Sequence, residues 1–273
     1  MKIVSFNING IRARLHQLAA LIDKYRPDII GLQETKVAND AFPFEAVTEL
    51  GYRAAVHGQK GHYGVAFLSP AGGGELADLR TGYAGEAADA QRRLIGCSVN
   101  YRGERLSIYN GYFPQGENRE HPLKFPNKRR FYADLLRLLE DEYRADERLL
   151  VMGDMNVSPT DADIGIGEKN RLRWLRDGKC SFLPEEREWY GRLQDWGLVD
   201  AWRAQYPDET GIYSWFDYRS RGFDDDPRRG LRIDHMLVTR SLLANCSEVI
   251  IDYELRGMER PSDHCPVVLV LDE

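Results

Sequence analysis

The sequence predicts an α/β protein built on mixed β-sheets, and three observations carry that prediction. Short runs rich in Val, Ile, Leu and aromatic residues are bounded by Gly, Pro, Asn and Asp, the punctuation of strands. Longer segments repeat apolar residues at helical spacing. The gaps between strand-like runs include both hairpin and crossover lengths, so helices are interspersed and the sheets mix parallel with antiparallel pairs.

The chain opens on Lys2–Asn7, an apolar run that reads as a strand. Leu15–Tyr25 follows, helical because Leu15, Leu18, Ala19 and Ile22 share a face. In Asp28–Gln33 the stretch from Ile29 to Leu32 is apolar at every position, which suits a strand buried on both faces. Tyr63–Leu68, Arg93–Asn100 and Arg105–Phe113 read as strands. Asn127–Tyr143 repeats Phe131, Leu135, Leu138 and Leu139 at helical spacing and leads into the strand Arg148–Gly153. Glu185–Trp196 is a further helix, and Ile233–Val238, Ser247–Tyr253 and Pro266–Leu271 complete the strands. Ile3–Asn9 and Leu149–Asn156 are loosely alike, each an apolar strand ending in an Asn/Asp-x-Asn turn.

At 273 residues the chain could form one large or two ordinary domains. No Pro/Ser-rich linker divides it, and Ala71-Gly72-Gly73-Gly74 is only loop-sized, so a single domain spanning 1–273 is expected. The hydrophobic content of 42% is enough for a sizeable core, and the aromatic content of 11% argues against disorder. The N-terminus lacks the apolar core of a signal peptide, and no run approaches a membrane span. Cys97, Cys180, Cys246 and Cys265 show no CxxC spacing, which argues against a zinc cage or disulfide framework and for the cytoplasm. The net charge of −6 by itself argues against nucleic acid. Its distribution weakens that objection, because Lys124, Lys128, Arg129 and Arg130, and then Arg219, Arg221, Arg228, Arg229 and Arg232, cluster in segments that read as loops. Either cluster alone is equally well a solvated surface.

Acid- and amide-rich motifs sit where the apolar runs end: Asn7-Ile8-Asn9-Gly10, Gln33-Glu34-Thr35, Gly153-Asp154-Met155-Asn156 and Ser262-Asp263-His264. Strand ends bring distant residues into one crevice. Glu34 could cap the next turn, or be the carboxylate that Mg²⁺ takes while keeping most of its waters. Asp154 and Asn156 could form an Asx turn, or project together to orient a water and a phosphate oxygen, with Gly153 letting a ligand approach the backbone. His264 could be a surface histidine, but Asp234 lies inside an apolar run and needs a partner to be buried, and His264 is the candidate. Tyr213 to Arg219 joins aromatics to a basic loop, either core or a platform for an unstacked nucleotide. Together these residues describe a hard-cation site with a histidine beside it, suited to metal-assisted phosphodiester cleavage.

The chain resembles the exonuclease III/human apurinic endonuclease family within the endonuclease–exonuclease–phosphatase superfamily. Beyond the motifs above, Gly58-Gln59-Lys60-Gly61-His62-Tyr63-Gly64, Asn110-Gly111-Tyr112-Phe113-Pro114-Gln115-Gly116 and Leu231-Arg232-Ile233-Asp234 carry the likeness, which covers essentially the whole chain. The resemblance implies a four-layer α/β sandwich, two mixed sheets face to face with helices outside. It implies action on double-stranded DNA with abasic sites or blocked 3′ ends, by a monomer dependent on Mg²⁺ or Mn²⁺: incision 5′ to the lesion, 3′→5′ exonuclease action and removal of 3′-phosphate. By position it makes Glu34 the principal metal ligand, with Asp263, Asn9 and Asn7 close by. Asp154 activates the water and Asn156 positions it; Tyr112 organises the phosphate region, and His264 with Asp234 is the cationic contact. Trp215, Phe216 and Leu231 resemble the wall receiving the flipped sugar, Leu231 standing where some relatives carry tryptophan, and Gln115 and Arg219 belong to the substrate side. A lipid or inositol phosphate as substrate is a competing reading, opposed by the basic aromatic loops and by Arg12, Lys36 and Gln115-Gly116. A non-catalytic DNA-binding relative should have lost one of Glu34, Asp154, Asn156, Asp234 or His264, and this chain keeps them all.

Overall fold

The side chains of the central strands alternate between two apolar environments, and this alternation sets the layers. The structure is a computed structural model that describes residues 1–87 and 89–272. In β1 (Lys2–Asn7), Ile3 enters one apolar cluster while Val4 and Phe6 enter another. In β8 (Leu149–Asp154), Leu150 and Met152 join the cluster of Ile3, while Leu149 and Val151 join a third. The shared cluster lies between two sheets. The other two fill the outer faces under helices, so strands covered on both sides are apolar throughout.

With strands numbered in chain order, one sheet runs β11 (Cys246–Ile251), β12 (Val267–Leu271), β1, β2 (Ile29–Gln33), β4 (Val65–Pro70), β3 (Tyr52–His57). The other runs β5 (Ala77–Thr81), β6 (Leu94–Tyr101), β7 (Glu104–Tyr112), β8, β10 (Asp234–Thr239), β9 (Leu198–Asp200). Helices α1 (Leu15–Tyr25) and α2 (Phe44–Glu49) cover the first sheet. Helices α3 (Lys124–Glu142) and α5 (Pro184–Trp196) cover the second, with α4 (Glu168–Arg176) between them in sequence. Three short helices complete the fold: α6 (Ala201–Gln205), α7 (Arg240–Leu243) and α8 (Tyr253–Arg256). The architecture is the expected α/β sandwich of two mixed sheets flanked by helices. Among the described residues no helix is long and apolar enough to cross a membrane.

The halves share a pairing scheme. β1 is parallel to β2 and antiparallel to β12; β8 is parallel to β7 and antiparallel to β10. The parallel pairs therefore end, and the antiparallel strands begin, at one rim of the sandwich.

Every expected strand and helix is present within a few residues. β3, β5, β9 and the helices α2, α4, α6, α7 and α8 were not expected. β5 is exposed along its whole length and β9 has three residues, so neither has an apolar pattern to read. Helix α3 starts at Lys124, three residues before Asn127, because Pro126 falls in its first turn, where a missing N–H costs nothing. Its basic residues are therefore helical, not on a loop. Lys128 is fully buried against Glu186 and Arg232 is buried between Asp163 and Asp200, so neither belongs to a surface grip.

Candidate active site

Asn7, Glu34, Tyr112, Asp154 and Asp234 all lie at strand ends on that rim, and Asp263 and His264 precede β12 there. Asp154 is directly opposite both Tyr112 on β7 and Asp234 on β10. The Asn7 amide crosses between the sheets, its Nδ2 donating to Glu34 Oε1 at 2.9 Å and to Asp154 Oδ2 at 3.0 Å. After Asn7 and Asp154 the chain makes the same turn. Asn9 N donates to Asn7 Oδ1 and Asn156 N to Asp154 Oδ1, each at 3.0 Å, with φ of 48° and 54° at the two asparagines. Asparagine tolerates this left-handed conformation better than most residues. Gly153 serves a different purpose from the one expected. A Cβ there would lie 1.9 Å from Gly111 O, so the close approach is of β7, not of a ligand.

His264 is held between two carboxylates. Its Nδ1 is 2.9 Å from Asp234 Oδ2 and its Nε2 is 3.8 Å from Asp154 Oδ2. Ser214 fixes Asp234 by donating from Oγ to Oδ2 at 2.7 Å while accepting from Asp234 N. Burial pulls the imidazole pKa down, but the charges of Asp234 and Asp154 and the hydrogen bond outweigh it and lift it to about 10. Histidine 264 is thus a buried imidazolium at neutral pH. Burial raises Asp154, the neighbouring Asp234 and Glu34 charges add to that, and His264 and Asn7 oppose it; its carboxyl rises to about 7. Burial also acts upward on Asp263, but the His264 charge and hydrogen bonds from Trp215 and Asn9 hold it below the usual range.

Glu34 Oε2 is 2.9 Å from Lys36 Nζ, and Lys36 also donates to Asn9 Oδ1. Asn9 Nδ2 donates to Asp263 Oδ1 at 2.7 Å. Carboxylate and amide oxygens therefore gather on one side of the cleft, the donor set of a hard divalent cation. The ligand atoms of Glu34, Asp154 and His264 also lie within 4.8 Å of one another. The imidazolium has no lone pair to offer, so the oxygens of Glu34 and its carboxylate neighbours fit a metal and His264 does not. Asp154, pushed up partly by surrounding negative charge, is the mark of a site that a cation would balance.

Burial, with Glu34 and Asp154 nearby, holds the Tyr112 hydroxyl well above its ordinary value, so it remains a neutral donor. Its ring is packed by the Arg93 guanidinium at 4.6 Å, which lies at 4.5 Å from the Tyr63 ring as well. The cleft has a volume of about 160 Å³. Glu34, Tyr112, Gln115, Asp154, Asn156, Asp263 and His264 form its polar side, and Trp174, Trp215, Leu231 and Ile233 its apolar wall. Trp215 Nε1 donates to Asp263 Oδ2 at 3.0 Å, which joins wall to polar side.

The structure brings together all the expected catalytic and metal residues, with Gln115, Trp215 and Leu231. It does not bring Phe216, whose ring is fully buried among Tyr213, Phe223 and Tyr253, because neighbours on an extended segment point to opposite sides. The slot wall is completed instead by Trp174, from α4, and by Ile233. Arg219 is on an exposed turn outside the cleft lining. Trp174, Ser181 and Arg93 were not singled out from the sequence. Trp174 reaches the cleft by stacking on Phe182, at 5.7 Å between centroids, a tertiary contact with no sequence signal.

The profile of the endonuclease/exonuclease/phosphatase family matches residues 4–264. Exodeoxyribonuclease III of Haemophilus influenzae is 56% identical over 267 residues, 98% of each chain. Among solved structures, a 3′-5′ exonuclease from Neisseria meningitidis superposes with a TM-score of 0.88 at 35% identity, and an AP endonuclease from Archaeoglobus fulgidus with 0.88 at 33%; both alignments cover each chain completely.

Proposed function

The chain belongs to the endonuclease/exonuclease/phosphatase family, and on that footing we propose that its cleft is the active site of a metal-dependent nuclease acting on double-stranded DNA. The assigned reactions are incision 5′ to an abasic site, 3′→5′ exonuclease action and removal of 3′-phosphate, which combine those named for its relatives. The protein is read as a single-domain monomer, and as cytoplasmic, the compartment that its four unpaired cysteines suit. The observation that carries the proposal is the Asp154–His264–Asp234 arrangement beside Glu34, where a base, a fixed cation and an oxygen-rich metal site share one small cleft.

Glu34 would hold Mg²⁺ (or Mn²⁺), with Asp263, Asn9 and Asn7 beside it. The metal supplies charge neutralisation at the phosphate. Asp154, a buried carboxylate lining the cleft, accepts the proton of the attacking water. The Asn156 Nδ2 is engaged by Phe113 O at 3.0 Å, which leaves its amide oxygen to orient that water. His264, kept cationic and in one orientation by Asp234, faces the charge that grows on the phosphate. Tyr112 donates to a phosphate oxygen. Trp215 and Leu231, with Trp174 and Ile233, receive the sugar. An abasic nucleotide has little stacking to lose on flipping, so seating one in the cleft is cheap.

The test is a 5′-labelled duplex with one tetrahydrofuran abasic analogue, incubated with Mg²⁺, with Mn²⁺ and with EDTA. Incision on the 5′ side with either metal and none in EDTA is expected. An intact duplex in both metals sinks the reading.

A further inference from the structure

Ser181 lies on the turn that enters α5 and lines the cleft beside Asn156 and Gln115. Its φ is 114°. The other non-glycine residues with positive φ among the described residues fall between 46° and 64°, the ordinary left-handed region. A value near 114° is the territory of glycine, and a side chain holds it only when its surroundings enforce it.

The surroundings do so through the backbone. Ser181 N donates to Glu186 Oε2 at 2.8 Å, and Ser181 O accepts from Ser158 N at 2.6 Å. Glu186 is fixed in turn by Lys128, whose Nζ lies 2.5 Å from Oε1 and also donates to Asn156 O at 2.8 Å and Gln115 O at 3.3 Å. One fully buried ion pair thus ties together three turns that line the cleft. The Ser181 hydroxyl makes no hydrogen bond to the described residues, while its backbone is fully engaged. A glycine would meet every one of those backbone demands without strain. The chain instead places a hydroxyl next to the apolar wall of Trp174 and Trp215.

We propose that Ser181 is a substrate-contacting residue whose Oγ hydrogen-bonds an oxygen of the sugar–phosphate seated in the cleft. This rests on the nuclease reading above. The oxygen belongs either to the sugar, as the C1′ hydroxyl of a natural abasic site, or to the flanking phosphate. Tetrahydrofuran lacks the first and keeps the second.

The full-length parent, Ser181→Gly and Ser181→Ala are compared by thermal melting and by incision at subsaturating enzyme on natural abasic and tetrahydrofuran duplexes. Ser181→Gly should melt about 2–4 °C higher through release of strain. It should cut roughly tenfold more slowly, the worth of one hydrogen bond. Ser181→Ala should cut as slowly without the gain in melting. A loss confined to the natural abasic site supports the sugar hydroxyl; a loss on both supports the phosphate. Parental rates for both variants on both duplexes overturn the contact even though the nuclease reading stands. A Ser181→Gly protein that melts no higher than its parent overturns the strain argument and the proposal with it. A parent that cuts neither duplex overturns the nuclease reading itself.

Discussion

Asn7 and Asp154 hold equivalent places in the two sheets and hydrogen-bond to each other, Nδ2 to Oδ2, at 3.0 Å. Each ends the strand that lies between a parallel and an antiparallel neighbour, and each is followed by an asparagine with positive φ whose N–H it accepts. The equivalence stops at the side chain. Two carboxylates this close could not both ionise, whereas an amide facing a carboxylate stabilises its charge. One strand end therefore carries the carboxylate proposed as proton acceptor, and its counterpart supplies the donor that links it to Glu34.

Asp154→Asn should lower single-turnover incision by at least about a hundredfold, the lower end of what a positioned general base contributes. Binding to an abasic duplex should survive or tighten, since a negative charge facing the phosphate is gone. His264→Asn should harm both, because it removes the cation. Rates and equilibrium affinities measured at one salt concentration separate the two variants. A near-normal rate for Asp154→Asn would mean that the proton acceptor lies elsewhere.

Glu34→Gln keeps the shape of the side chain and removes its charge. Calorimetric Mg²⁺ affinity should fall more than duplex affinity does, and high Mg²⁺ should restore part of the turnover. Unchanged metal affinity in that variant refutes the ligand assignment.

The titrating groups fix the sign of a pH effect in metal-free protein. Asp154, raised to about 7, binds more protons folded than unfolded, so its contribution declines as pH climbs from the ordinary carboxylate range to 7. His264, raised to about 10, contributes fully below the ordinary imidazole value and loses that contribution as pH rises through 10. Asp263, lowered, contributes fully above the ordinary carboxylate range and is flat in this window. In EDTA the melting temperature should therefore fall between about pH 6 and pH 9. Asp154→Asn should flatten the part below 7 and, by withdrawing one of the charges that lift His264, shift the rest to lower pH. Metal binding should release a proton at pH 6 and almost none at pH 8.5, which calorimetry in two buffers of different ionisation enthalpy reads directly. A melting temperature that rises over the range contradicts the assignment.

Lys128→Met should cost about 3–5 kcal/mol in urea unfolding, because it leaves the Glu186 charge buried and unpaired. Lys128→Met with Glu186→Gln should recover part of that loss. A phosphate-gripping surface lysine would behave differently, with little change in stability and a shallower salt dependence of binding.

Glu34, Asp154, Asp234 and His264 were legible because polar residues at the ends of apolar runs must meet at a strand rim. Asp234 inside such a run demanded a partner, and His264 is that partner. Lys128 was misread by charge alone, although its spacing to Phe131 and Leu135 already placed it on the buried face of α3. Phe216 failed because an aromatic next to Trp215 on extended chain must face away from it. Ser181 could not be read at all: its importance lies in a backbone angle that serine does not favour, held by an ion pair between the helix that follows it and the distant α3. β5 left no trace for the opposite reason, as an exposed edge strand without an apolar face.

We propose that the surface grip on DNA is left to arginines of those clusters that the structure leaves exposed, among them Arg129, Arg130, Arg219 and Arg221, now that Lys128 and Arg232 are accounted for inside the protein. An exposed guanidinium that neutralises a phosphate releases about one counterion, so each true contact adds nearly one to the slope of log K against log salt. Arg219→Gln should weaken binding to all duplexes alike, lesion or none, and reduce that slope by about one. It should leave the cleavage rate of bound substrate intact, because Arg219 lies outside the cleft lining. Arg129→Gln and Arg221→Gln should act in the same way. If the triple variant keeps the parental salt slope, DNA lies along another face of the sandwich, and the net charge of −6 must be overcome by different side chains.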